Sequence, residues 1–183
     1  MSKRIALLRA INVGGTGKVK MADLRAMLVA EGYTNVETVV QTGNVIFDRP
    51  KLDGAALEAK LEQTTSTRLG ITPDYLVRTP AEWKALIAAN PFAAFAVDTP
   101  SFMVVAFAKV APDAAGIAAL EAATEGLPET LTVIGREIFI TYPNGQGRSK
   151  LDLTKVERRH PAVRATARNW NTVLKIGALL EVI

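Results

Sequence analysis

Cysteine is missing from all 183 residues, and histidine occurs once. The first absence excludes disulfides, thiol nucleophiles and zinc–thiolate sites. The second rules out a multi-histidine metal site within one chain; carboxylate-held Mg²⁺ stays open in principle, and no metal or cofactor is expected. Long apolar runs are lacking too, with nothing near the ~18–20 residues that span a bilayer. The start, Met1-Ser2-Lys3-Arg4 before Ile5-Ala6-Leu7-Leu8, has too short an apolar part for a secretory signal, and Arg9 interrupts it. The expectation is a cytoplasmic protein with no membrane partner.

What is present is an ordinary globular composition with an unusual charge layout. Hydrophobic residues make up 49% and charged residues 22%, a balance that supports one domain or two small ones with a proper core. Folding a chain of this length buries roughly 70% of its unfolded surface. Residues 1–25 hold six Lys/Arg against one acid, and residues 148–183 hold eight against three. The stretch between them holds eight against fourteen. The net charge of +4 therefore hides a polarity: both ends are basic and the middle is acidic. A single cationic surface formed by both ends is the expectation, and a phosphate-bearing ligand or nucleic acid is the partner it would suit.

The order of elements comes from apolar periodicity and its punctuation. Residues 4–10 are an apolar run of strand length. Met21, Leu24, Met27 and Leu28 then recur at helical spacing up to Gly32. Residues 36–41 and 44–48 are strand-like around a tight turn at Thr42-Gly43. Asp53 can cap a helix carrying Leu57, Leu61 and Leu69, which stops at Gly70, and residues 74–78 form a further strand. This is the β-α-β-β-α-β order of a ferredoxin-like plait. Thr79-Pro80-Ala81-Glu82 is a capping box that opens a helix ending at Asn90-Pro91. An irregular connection through Phe92, Phe95 and Pro100 follows.

The pattern then repeats: a strand at 102–110, a helix at 113–123 and a hairpin at 131–142 around Gly135-Arg136. A helix at 149–159 capped by Ser149, an extended segment at 163–167 and a last helix capped by Asn169 complete it. The predicted class is α+β: two ferredoxin-like halves joined by a helix, plus a C-terminal helix. The boundaries are 1–78 for the first half, 79–100 for the linking helix and connection, and 101–183 for the second.

Candidate ligand-binding residues cluster at the basic ends. The loop at 13–18, Val-Gly-Gly-Thr-Gly-Lys, leaves a strand and enters a helix, where backbone N–H groups and the helix dipole favour an anion. Asn12, Gly14, Gly15, Lys18 and Lys20 are its candidates. It is not a P-loop, which needs glycine where Asn12 stands and a hydroxyl where Val19 stands. Nor is it a dinucleotide fingerprint, which needs a third glycine in place of Lys20. Arg9 ends an apolar strand, where its charge must find an ion-pair partner or a ligand. Gln41 and Asn44 flank a hairpin turn that also explains them without a ligand.

At the far end, Arg148 and Lys150 follow a second glycine-rich stretch, Asn144-Gly145-Gln146-Gly147. Arg164, Thr166 and Arg168 alternate and share one face of an extended segment, running into Asn169 and Trp170. A guanidinium beside an indole suits phosphate with base stacking; a capped helix anchored in the core by Trp170 explains the same residues. Arg158-Arg159-His160 reads as a solvated helix end that complements the dipole.

The segments Leu8-Arg9-Ala10-Ile11-Asn12-Val13-Gly14-Gly15, Lys20-Met21-Ala22-Asp23-Leu24 and Gln41-Thr42-Gly43-Asn44-Val45-Ile46-Phe47 resemble the bacterial family known as domain of unknown function 1697. Asn90-Pro91-Phe92, Ser149-Lys150-Leu151 and Thr166-Ala167-Arg168-Asn169-Trp170-Asn171-Thr172 continue the resemblance over nearly the whole chain, with Ala10 in place of a more usual glycine. It implies two ferredoxin-like halves and no established reaction, substrate or catalytic residue. Charge polarity, the two glycine-rich basic loops and the segment from Arg168 to Trp170 set the functional expectation: non-enzymatic binding of a nucleotide or nucleic acid. A small enzyme acting on a phosphorylated metabolite and a protein-interaction module are the alternatives. Stacking on the first sheet is disfavoured, because Ile5, Leu7 and Leu8 stand where aromatics would be needed.

Overall fold

The computed structural model describes residues 3–9, 11, 19–40, 43–48 and 50–183. The first half runs β1 (Arg4–Arg9), α1 (Met21–Ala30), β2 (Thr34–Thr38), β3 (Asn44–Asp48), α2 (Gly54–Leu69) and β4 (Asp74–Arg78). After α3 (Pro80–Ala88) and α4 (Ala93–Asp98), the second half runs β5 (Met103–Ala108), α5 (Ala114–Thr124), β6 (Thr130–Ile134), β7 (Glu137–Thr141), α6 (Leu153–Arg159) and β8 (Ala165–Asn169). A last helix, α7, spans Trp170–Leu179. The sheets have the orders β2-β3-β1-β4 and β6-β7-β5-β8, antiparallel at every pairing. Each half thus has the strand order that a β-α-β-β-α-β plait requires.

Local chemistry explains where most elements begin and end. The Thr79 hydroxyl accepts from Glu82 N at 3.1 Å, while the Glu82 carboxylate accepts from Thr79 N at 2.8 Å, a complete capping box for α3. Asp53 accepts from Gly54 N and from both arms of the Arg4 guanidinium, at 2.6 and 2.8 Å, tying the start of α2 to β1. Gly70 closes α2 at φ 68°. Asn169 accepts from the backbone and hydroxyl of Thr172 at the head of α7.

Two expectations shift. The helix anticipated from residue 149 starts at Leu153, because Ser149 Oγ accepts from Leu151 N and closes a local turn. The true cap is Asp152, which accepts from Lys155 N. The irregular connection after Pro91 also contains α4, a six-residue helix.

The chain divides into two compact units, Met1–Lys84 with Leu179–Val182 and Ala85–Ala178 with Ile183, so the division falls inside α3. In the first, Ala6, Leu8, Val45, Phe47, Tyr75 and Val77 of the sheet pack on Leu24, Met27, Leu28, Leu57 and Leu61 of α1 and α2. In the second, Val104, Ala106, Ile138 and Ile140 pack on Leu120, Val156 and Val163. The opposite face of each sheet is closed as well. Ile5 and Leu7 are fully buried, Ile46 and Leu76 nearly so, and Met103, Val105, Phe107 and Phe139 are fully buried. Neither sheet offers an open platform on which a base could stack, and Phe47, the aromatic of β3, sits in the core against Tyr33.

Candidate functional site

Asn12, Gly14, Gly15, Lys18 and Gln41 lie outside the described residues. Arg9 is half-buried at the end of β1, its Nη1 3.5 Å from Asp74 Oδ2, its register partner on β4. Lys20 is exposed at the head of α1, its carbonyl accepting from Leu24 N. Asn44 is fully buried and donates to Val39 O at 2.8 Å across the β2–β3 turn.

Three of the far-end candidates are built into the fold. Arg168 and Thr166 share one face of β8, as alternation requires, but that face is buried. Arg168 Nη1 donates to Thr166 Oγ1 and to Ala167 O, both at 2.8 Å, and burial brings its pKa down to about 10. Arg164 precedes the strand and stays exposed, 3.8 Å from Glu157. Asn169 is spent on the α7 cap and Trp170 is buried. Arg148 is exposed on the 3₁₀ turn Gln146–Arg148.

Lys150 is the candidate that meets a concavity. α5 and α6 enclose a cleft of about 420 Å³ in the second unit. Asp113 caps α5 by accepting from Gly116 N at 2.7 Å. Gly116 lets the chain after α6 come close: a Cβ there would stand 2.8 Å from Val163 Cγ1. Farther along α5, Ala119, Ala122 and Ala123 present only methyl groups, so the helices meet at one end and leave a hollow beside it.

The other wall is cationic. Lys150, Lys155, Arg159 and His160 line it, and Lys155 and Arg159 are one helical turn apart on α6, so their charges share a face. Among the described residues, none of Lys150, Lys155 and Arg159 has an acid at ion-pair distance. Of the two acids of this segment, Glu157 lies beside Arg164, while Asp152 lines the same cleft and caps α6 by accepting from Lys155 N. Three cations against the single carboxylate of Asp152 leave the lining net positive, and an anion entering the cleft would offset that excess. Sequence reasoning had assigned Arg159 and His160 to a solvated helix end. The i, i+4 spacing of Lys155 and Arg159 was the available signal, but the alanine wall comes from a helix some thirty residues earlier and could not be paired with it.

The described residues contain no cluster of three or more His, Asp or Glu that would hold a metal, and no helix long and apolar enough to cross a membrane. No curated protein matches the chain. Among solved structures it is similar to the conserved bacterial protein SP0830 from Streptococcus pneumoniae, at 27% identity and a TM-score of 0.72, covering 98% of each chain. The family described as "Protein of unknown function (DUF1697)" matches residues 1–139, which takes in α5 and its alanines but stops short of α6. With three quarters of its length so matched, the chain belongs to that family of unknown function.

Proposed function

We propose that this protein binds a phosphate-bearing ligand, a nucleotide or nucleic acid, on its basic surface, with the α5–α6 cleft as the seat. One observation carries the reading: three cations without acidic partners among the described residues, Lys150, Lys155 and Arg159, converge on one concavity walled on its far side by methyl groups. Charge-assisted contacts of this kind contribute ~1.5–3 kcal/mol each, so two or three give about 3–9 kcal/mol before the cost of association, a site of roughly millimolar to micromolar affinity for a small anion.

Thermal denaturation with ATP or pyrophosphate tests it. A ligand at one hundred times its Kd stabilises the native state by ~2.7 kcal/mol, which for a domain of this size raises Tm by roughly 5–10 °C. The shift should shrink with added salt and be nearly abolished in Lys155→Ala/Arg159→Ala. If no phosphate compound moves Tm, or if the double variant responds like the parent, the proposal fails.

A second reading, turnover of a phosphorylated metabolite, is favoured by one feature, the His160 imidazole lining the same cleft. Hydrolysis of a phosphoester panel, lost in His160→Ala while ATP binding persists, would establish it.

A further inference from the structure

Resting on the binding reading above, we infer that the cleft takes a small phosphate ester with a flat apolar body, of mononucleotide size, and does not tell one base from another. The lining divides by chemistry and by element. The segment from Lys150 to His160 supplies every cation, whereas α5 supplies Ala119, Ala122 and Ala123, with Val156 beside them. A ligand matching both walls is anionic at one end and apolar along the rest. A bare phosphate would leave the alanine wall uncovered.

Size points the same way. A hollow of about 420 Å³ falls within the range of small-molecule pockets, whereas a single strand needs a cationic track over several nucleotides, usually with aromatic platforms. No Phe, Tyr or Trp lines the cleft, and both sheet faces are closed.

The lack of base preference follows from hydrogen bonding. Reading a base edge requires donors and acceptors held opposite it. Alanine methyls offer neither; the polar side chains of the lining, Asp152 with one oxygen engaged by Lys155 N and His160 among them, all stand on the segment that bears the cations. The phosphate should be gripped and the base merely covered.

Calorimetric titration at fixed ionic strength with AMP, GMP, CMP, UMP, ribose 5-phosphate, inorganic phosphate and a twelve-residue oligothymidylate tests the inference. The four nucleotides should bind within about threefold of one another, and ribose 5-phosphate about tenfold more weakly, equivalent to ~1.4 kcal/mol. Ala122→Leu, an exposed helical position filled with a larger side chain, should weaken the nucleotides about tenfold and leave inorganic phosphate unchanged. The inference is overturned if inorganic phosphate or ribose 5-phosphate binds as well as the nucleotides, or if one base is preferred by more than tenfold. Oligothymidylate binding far more tightly, with a steep salt slope, overturns it as well. In each of those results phosphate binding itself survives. Silence from every phosphate compound removes both.

Discussion

Raising the pH should destabilise this protein through Tyr75 in a calculable way. Its hydroxyl lies 2.7 Å from Thr65 Oγ1, and both side chains are fully buried. Burial disfavours the phenolate and is the largest influence, the Thr65 hydrogen bond acts against it, and the net effect raises the pKa from 10 to about 12. In the unfolded chain the phenol titrates near 10. Between pH 10 and 12 the unfolded state has therefore lost a proton that the native state keeps, so stability falls as pH rises. The contribution is complete below pH 10 and gone above pH 12, and a shift of this size amounts to roughly 3 kcal/mol.

Tyr75→Phe isolates this contribution. It removes the titrating group and orphans the buried Thr65 hydroxyl, which costs ~1–2 kcal/mol at neutral pH. Urea unfolding of both proteins at pH 8, 10, 11 and 12 gives a difference in which every other titrating group cancels. The variant should be the weaker at pH 8, match the parent near pH ~11, and be the more stable at pH ~12. Absorbance at 295 nm should show less tyrosinate in the folded than in the unfolded protein at the same alkaline pH, since Tyr33 and Tyr142 are also shifted upward, mainly by burial. A difference that stays constant from pH 8 to 12 would refute the argument.

Gly43 stands at φ 72°, and a Cβ on it would lie 2.5 Å from Ile11 Cδ1 and 3.1 Å from Leu8 Cβ. Gly43→Ala combines left-handed strain with overpacking, so the unfolding free energy should drop by about 2–4 kcal/mol, lowering the urea midpoint at unchanged m. On α5, Gly116→Ala would gain up to ~1 kcal/mol of helix propensity in isolation, yet its methyl would press on Val163 Cγ1 at 2.8 Å. The single variant should therefore lose stability, and Gly116→Ala/Val163→Ala should recover with a coupling of ~0.5–3 kcal/mol; strict additivity would show that the close approach has no energetic weight.

Helices with a complete chemical signature were legible from residues alone. Thr79 with Glu82, Asp53, Gly70 and Asn169 all act as their types and spacings indicate, because a cap is satisfied within four residues and needs no distant information. The order of strands was legible for a related reason, since apolar runs alternate with punctuated helical stretches. Failure came where two local solutions compete. Ser149 and Asp152 are both competent caps three residues apart, and what decides between them is that Leu151 and Leu153 pack against the core of the second unit. Alternation likewise placed Thr166 and Arg168 on one face without saying whether that face looks outward. The cleft was illegible because its α5 wall is made of alanines, which carry no electrostatic mark.

Closing both faces of each sheet has a consequence for where chemistry can occur. A plait with an open sheet can present aromatic side chains to a nucleic acid, but here that surface is consumed in holding the fold together. Under the proposed reading, ligand contact falls to helix flanks and loops, where most cations of the C-terminal segment lie. Of the eight Lys and Arg in residues 148–183, seven are exposed. The exception, Arg168, is kept in the interior by accepting groups on its own strand, and its lowered pKa records the cost of desolvating it. The residue that most resembled a nucleic-acid contact in the sequence thus serves the interior. Arg159, which reads in the sequence as part of a solvated helix end, borders the hollow beside Lys155, which carries no mark there.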